Sequence, residues 1–266
     1  ALWNRWDSRA EPVGIRATPV RQVRRASAAA SFFSGGVDSF YSVIATDARY
    51  GAVDPRSVRF LVFCQGFDIP LEDRRRRDDV HAQLARAAAD LGKTLIAART
   101  NARDFVRCVD WAHHGYGPCL GGLGLALDAI ADTVYLPAAY AYQQIGAEGA
   151  HASHPFIDPL WSAESVDIVH SGGEATRAQK IARLARSPVV LAHLRVCWQN
   201  VDGAYNCCRC EKCLRTMAEL KLCGVLDEMA AFPLPFTAEA LRALRIQPHL
   251  FGFWQEWLER ARGPHV

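Results

Sequence analysis

A run of small and apolar residues, Ser27 to Phe33, stops at Ser34-Gly35-Gly36 and gives way at once to helical spacing through Val37, Phe40, Tyr41 and Ile44. A buried strand that turns straight into a helix is the first half of a parallel crossover, and the rest of the chain repeats that alternation. Strands are predicted over Val58 to Phe63, Thr94 to Arg99 and Thr133 to Ala138, with a fifth over Val189 to Leu194. Between them, Asp78 to Leu91 places Val80, Leu84, Ala88 and Leu91 on one helical face, and Leu120 to Ala131 reads as another helix. The expectation is an α/β fold with a doubly wound, five-stranded parallel sheet. In such sheets ligands bind beyond the carboxyl ends of the strands.

The chain has 266 residues and half of them are apolar, enough for one large core with an appendage. The expected organisation is an N-terminal segment over 1–25, an α/β domain over 26–194, and a cysteine-bearing helical lobe over 195–266. Residues 1–25 are Arg-rich and irregular, and the opening Ala1-Leu2-Trp3 without methionine points to an upstream start. Gln143 to Glu174, rich in Gly, His, Ser and Pro, is too long for an ordinary connector and is expected to be a lid or an irregular loop. The last two helices are placed at Leu214 to Leu222 and around Phe251 to Ala261. The aromatic stripe Phe251, Trp254, Trp257 and Leu258 reads as core or homodimer contact. No apolar span reaches the roughly 20 clean residues of a membrane helix. Net charge is only +3, and the 27 Arg against 4 Lys read as a compositional habit, so neither points to nucleic acid. Nine cysteines, four of them within seven residues, read as metal ligands in a reducing, cytoplasmic compartment.

The sharpest motif is Ser34-Gly35-Gly36-Val37-Asp38-Ser39. Two glycines let backbone N–H groups approach phosphate oxygens, and the helix start adds its positive dipole end. Ser34 and Ser39 offer hydroxyl donors, and Asp38 can hold magnesium. The plain alternative is a Gly-Gly turn between strand and helix. Rival phosphate motifs fail: Ala87 stands where a Walker-type loop ending in Gly92-Lys93-Thr94 needs glycine. The hexapeptide resembles the PP-loop of the ATP pyrophosphatases, which cleave ATP between the α and β phosphates and adenylate a substrate oxygen. That resemblance implies an adenine nucleotide α-hydrolase-like (HUP) sheet. It also implies ATP contacts from Phe33, Ser34, Gly35, Gly36, Val37, Asp38 and Ser39, with Phe63 and Gln65 flanking the adenine.

Cys207, Cys210 and Cys213 form C-x-x-C-x-x-C, and Cys197 lies ten positions upstream. Four thiolates so spaced can close a tetrahedral zinc site, with an iron–sulfur cluster as the other reading. Arg209, Lys212 and Arg215 are placed to offset the excess negative charge, and Cys208 is out of phase. One upstream cysteine followed by this knuckle, after a PP-loop domain, resembles the 7-cyano-7-deazaguanine synthase-like proteins. The middle of the chain, including Gly66-Phe67-Asp68-Ile69-Pro70 and His113-His114-Gly115, departs from that pattern.

Weaker signals complete the reading. Arg177 and Lys180, on a predicted helix, are either cations for the leaving pyrophosphate or a solvated face. Arg74 to Arg77 are a phosphate-gripping lid or, more simply, a solvated run. His113, His114, His151 and His154 read as structural or exposed. The resemblance implies an ATP- and Mg2+-dependent ligase that adenylates the oxygen of a small carboxylate or nucleobase-like substrate and passes it to ammonia or an amine. Asp38, Ser34, Ser39, Arg177 and Lys180 would be its working residues, and zinc would be structural. Two other readings stay open: sulfur transfer to a nucleoside or tRNA through Cys64 or Cys119, and a non-catalytic nucleotide-binding partner.

Overall fold

The central strand, β1 (Ala29–Phe32), is flanked by β2 (Val58–Gln65) and β4 (Thr133–Pro137), with β3 (Thr94–Arg99) and β5 (Asp167–Ser171) at the edges. All pairs are parallel and the order is β3-β2-β1-β4-β5. The arrangement comes from a computed structural model, which describes every residue except 1, 9, 10, 12, 13, 15, 19, 22, 146–150 and 264–266. Parts of the N-terminal segment and of the long loop therefore lie outside the described residues. The chain leaves β1 in one direction to build β2 and β3, then returns to build β4 and β5 on the other side. Such a reversal opens a crevice at the carboxyl end of the central strand.

The six longest described helices are α1 (Val37–Tyr50), α2 (Arg74–Asp90), α3 (Tyr116–Leu125), α4 (Arg177–Leu184), α5 (Glu211–Leu222) and α6 (Phe251–Arg262). Alternating strand residues feed two apolar layers. Phe33, Phe40, Leu61 and Leu84 pack on one side, in a layer that runs on through Leu194, Cys197, Met217 and Phe232 into the cysteine lobe. Phe32, Val62, Val134, Leu136 and Ile168 pack on the other, under α3. Two glycines let α3 sit close to its neighbours: a Cβ on Gly124 would lie 2.7 Å from Ile168 Cδ1 in this layer, and one on Gly117 would lie 1.6 Å from the Ala152 carbonyl oxygen in the long loop. No described helix is long and apolar enough to cross a membrane.

Several expected boundaries change. Val189 to Leu194 is not the fifth strand. Ser187-Pro188 starts a short helix, Pro188–His193, in which Leu191 N–H donates to Ser187 O at 3.0 Å. Proline at the first helical position outweighs the β-branched run that follows it. The fifth strand instead lies inside the long polar stretch, as Asp167–Ser171. Its short apolar run is legible only once β4 supplies a partner. Arg74 to Arg77 are the first turn of α2, capped by Asp73, which accepts from Arg76 N–H at 3.2 Å; Arg77 is buried and donates to Leu71 O at 2.7 Å. The third helix spans Tyr116–Leu125, so the predicted Leu120 to Ala131 span runs past its end.

The long loop is anchored by buried polar groups. Asp158 accepts from Ser153 Oγ at 2.6 Å, from His154 N–H at 3.1 Å and from His170 Nδ1 at 2.7 Å. His154 Nδ1 accepts from Phe156 N–H at 3.1 Å, and the Trp6 ring rests against the His154 ring. Burial holds both His151 and His154 below the ordinary histidine value of 6.5. The unfolded chain protonates these rings near 6.5 while the folded chain resists, so their contribution to stability is full above that value and lost as pH falls below it. The thermal midpoint should therefore drop between about pH 7 and pH 5.5. His154→Asn, which keeps an acceptor for Phe156 N–H, should make that decline shallower in a pH series of thermal melts.

Candidate functional site

The glycine loop forms because β1 runs out of sheet partners where α1 must begin. Phe33 N–H still donates to Val62 O at 2.8 Å, and Gly35 then turns with φ +74°. A Cβ on Gly35 would meet Leu84 Cδ2 at 2.6 Å, so both the torsion and the space require glycine. Gly36 caps α1 without any side-chain acceptor among the described residues. α3 and α6 also start without a side-chain cap, whereas α2, α4 and α5 are capped by Asp73, Thr176 and Cys210. The first amides of a helix have no intrahelical partner, so α1 presents open donors and a positive dipole end. Ser34 Oγ accepts from Gly36 N–H at 3.4 Å, and Ser39 Oγ donates to Gly36 O at 3.0 Å, so both serines brace the loop.

Asp38, in the first turn of α1, is clamped. Lys180 Nζ lies 3.1 Å from one carboxylate oxygen and Arg177 Nη1 lies 3.2 Å from the other. The capping box of Thr176 and Gln179 starts α4 where its first turn meets α1. Lys180 is fully buried and also donates to Ala138 O at 2.6 Å, at the end of β4. Arg177 reaches across to Thr216 Oγ1 at 3.4 Å, while its Nε is buried without a hydrogen-bond partner among the described residues. Burial pushes the Asp38 carboxyl up, but Lys180, Arg177 and Lys212 together hold it below the usual carboxylate value. Burial lowers Arg177 and Lys212 in turn.

A cleft of about 290 Å³ opens beside this group at the carboxyl ends of β1, β2 and β4. Ser34, Gly36, Val37, Asp38 and Ser39 form its floor, with Phe33 and Phe63 beside them; Phe67, Trp111 and Tyr116 make an aromatic wall, and Arg177, Arg195 and Lys212 supply cations. Gln65 is turned away: its side chain takes Arg99 Nε at 3.4 Å and its carbonyl takes Thr100 N–H at 3.0 Å. Cys64 reaches the wall, where burial, with Asp68 adding to it, pushes its thiol up to about 12. Cys119 is likewise raised by burial.

Cys197, Cys207, Cys210 and Cys213 are buried, and their sulfurs all lie within 4.8 Å of one another. Cys210 N–H points at Cys207 Sγ at 3.3 Å and Cys213 N–H at Cys210 Sγ at 3.5 Å. Four sulfurs at such separations are positioned to bind a metal ion, and the donor set is compatible with zinc. Cys208 takes φ +55° and turns its sulfur to Asn206 O at 3.6 Å, outside the cluster. Of the three cations expected to offset the cluster, Arg215 is committed to Glu211 at 2.7 Å and sits over Phe253, and Lys212 lines the cleft.

Sequence reasoning missed the residues that join the two sites. Arg195 N–H donates to Gly35 O at 2.7 Å, and the Arg195 side chain lines the cleft. Asn206 is buried and fourfold bonded. Its oxygen accepts from Val196 N–H at 2.8 Å and Cys197 N–H at 3.2 Å, and its nitrogen donates to Leu194 O at 2.8 Å and Ala231 O at 3.0 Å. Its position just before Cys207 was the one available signal. His113 and His114 fall in a turn of π-helix, Trp111–Gly115, and neither lines the cleft.

Comparison with protein-family models, with curated proteins and with solved structures finds no match in any of the three.

Asn206→Ala strands four buried backbone groups, each worth about 1–3 kcal/mol when left unpaired. Chemical denaturation should show a loss of roughly 3 kcal/mol or more, far beyond the effect expected of an ordinary surface substitution.

Proposed function

We propose that this chain is an ATP pyrophosphatase-type ligase of the PP-loop kind, with the HUP-like sheet that the strand order suits. The observation that carries the reading is the uncapped Gly35-Gly36 start of α1, which opens into a cleft next to Asp38 and the cations clamped on it. Open amides and a helix dipole favour phosphate. Arg177 and the loop would hold the triphosphate, Phe33 and Phe63 would flank the adenine, and Lys180 would fix Asp38. Magnesium, held with help from Asp38, would neutralise phosphate charge.

The substrate is a small carboxylate or amide, in keeping with the cleft volume of about 290 Å³. Its oxygen attacks the α phosphorus, the bond to pyrophosphate breaks, and ammonia or an amine then displaces AMP to form the C–N bond. The protein's part is orientation and charge stabilisation of the transition state. Zinc on the four cysteines would be structural, and a fully reduced cysteine set suits the cytoplasm. The sulfur-transfer reading is disfavoured by Cys64, whose thiol is pushed up to about 12 and so carries almost no thiolate near neutrality.

Incubation with ATP, magnesium and a panel of carboxylates, with and without ammonium, should release AMP and pyrophosphate. Asp38→Asn should lower that release by about 100-fold or more, while Cys64→Ala and Cys119→Ala stay near the parent rate. Release of ADP, or an unaffected Asp38→Asn variant, would sink the reading, and loss of product in either cysteine variant would favour sulfur transfer.

The metal is tested separately. Elemental analysis of protein purified without added metal should give one zinc per chain. Cys210→Ser should lose it and Cys208→Ser should retain it. Iron with visible absorbance, or a folded metal-free protein, would overturn the zinc reading.

A further inference from the structure

Lys212 stands between two of the cluster's cysteines, in the first turn of α5, yet its side chain lines the cleft in front of the glycine loop. The chain has 27 Arg and only 4 Lys. Of the other three, Lys180 pairs with Asp38 at 3.1 Å, Lys93 pairs with Asp47 at 2.6 Å, and Lys221 is exposed on the far end of α5. Lys212 alone is half-buried with no carboxylate within 4.0 Å among the described residues. Asp68 and Asp38 act on it only from beyond ion-pair distance, and a cation taken partly out of water without a close counter-ion is costly, a cost that an anionic ligand lowers. Beside it, Arg177 lines the same cleft, with its Nη1 3.2 Å from Asp38 and its Nε buried without a hydrogen-bond partner among the described residues.

The backbone under Lys212 is held rigidly. Cys210 caps α5 with its sulfur, Cys213 follows in the same turn, and both belong to the four-sulfur cluster. The direction of the Lys212 stem is therefore set by the cysteine knuckle, not by contacts of its own head group.

We propose that Lys212 is a phosphate-binding residue of the cleft, carried into place by the cysteine knuckle and directed at the pyrophosphate end of the nucleotide. The assignment rests on the ATP reading above for the identity of the ligand, and on the unpaired ammonium for the chemistry.

The test is calorimetric binding of inorganic pyrophosphate and of ATP, each with magnesium, to the metal-loaded protein. Lys212→Met keeps the stem and removes the charge. It should weaken both ligands by roughly tenfold to a hundredfold, the range of a charge-assisted hydrogen bond. Lys212→Arg should restore most of the loss, and Lys221→Met should bind like the parent. Zinc content and thermal midpoint serve as folding controls. If Lys212→Met loses metal, Lys212→Gln carries the same expectation. Equal affinity of the parent and the charge-free variant overturns the proposal and leaves the ATP reading intact. A parent that binds pyrophosphate through Lys212 but does not bind ATP supports the phosphate site and removes the ATP reading. A parent that binds neither overturns both.

Discussion

Asp38 is the point on which the molecule converges. Its carboxylate receives Lys180, which also holds the end of β4, and Arg177, which also reaches Thr216 in the cysteine lobe. One side chain thus ties the first turn of α1 to α4, to the far half of the sheet and to α5. Removing one member of such a buried group leaves an uncompensated charge, at a cost of about 3–5 kcal/mol. Burial itself is non-directional, and the charge cluster adds a directional constraint to the packing of these elements.

The second constraint runs from the glycine loop to the cysteines. Gly35 O takes Arg195 N–H, Cys197 lies two residues on, and Asn206 clasps the backbone on both sides of that step. The same apolar layer continues without a break from Phe33 to Cys213 and Met217. A metal bound by the four sulfurs would therefore brace one wall of the cleft as well as the C-terminal lobe. The last helix adds to this bracing: Trp254 Nε1 donates to Glu211 Oε1 at 2.9 Å, Thr176 Oγ1 donates to Glu256 Oε1 at 2.6 Å, and Arg260 pairs with Glu219. The aromatic stripe of that helix is split by this docking, with Trp254 buried and Phe251 left exposed.

Charge around the cleft follows from these two constraints. Asp38 is outnumbered by Arg177, Lys180 and Lys212, and it stays ionised because they outweigh its burial. A carboxylate so neutralised orders its cations while leaving the cleft with an excess of positive charge. That excess, the open amides of α1 and the aromatic wall of Phe67, Trp111 and Tyr116 are the features on which the proposed nucleotide binding rests.

What was legible in the sequence was local. Strand, glycine loop and helix are dictated by steric and hydrogen-bonding rules acting over a few residues, and so is the two-residue spacing that turns three cysteine sulfurs to one side. Ser34 to Ser39 and Cys207 to Cys213 could therefore be read directly, and so could the parallel α/β class. What required the tertiary structure was everything set by partners distant in the chain. Val189 to Leu194 looks like a strand until Pro188 is seen to start a helix there, and Asp167–Ser171 becomes a strand only because β4 offers an open edge. Arg177 and Lys180, three residues apart on α4, lie some 140 residues from Asp38, and nothing in the sequence signals their pairing with it. Lys212 belongs by spacing to the cysteine knuckle and by position to the cleft, because a side chain's direction is decided by the element that carries it and its surroundings by the elements that pack against it.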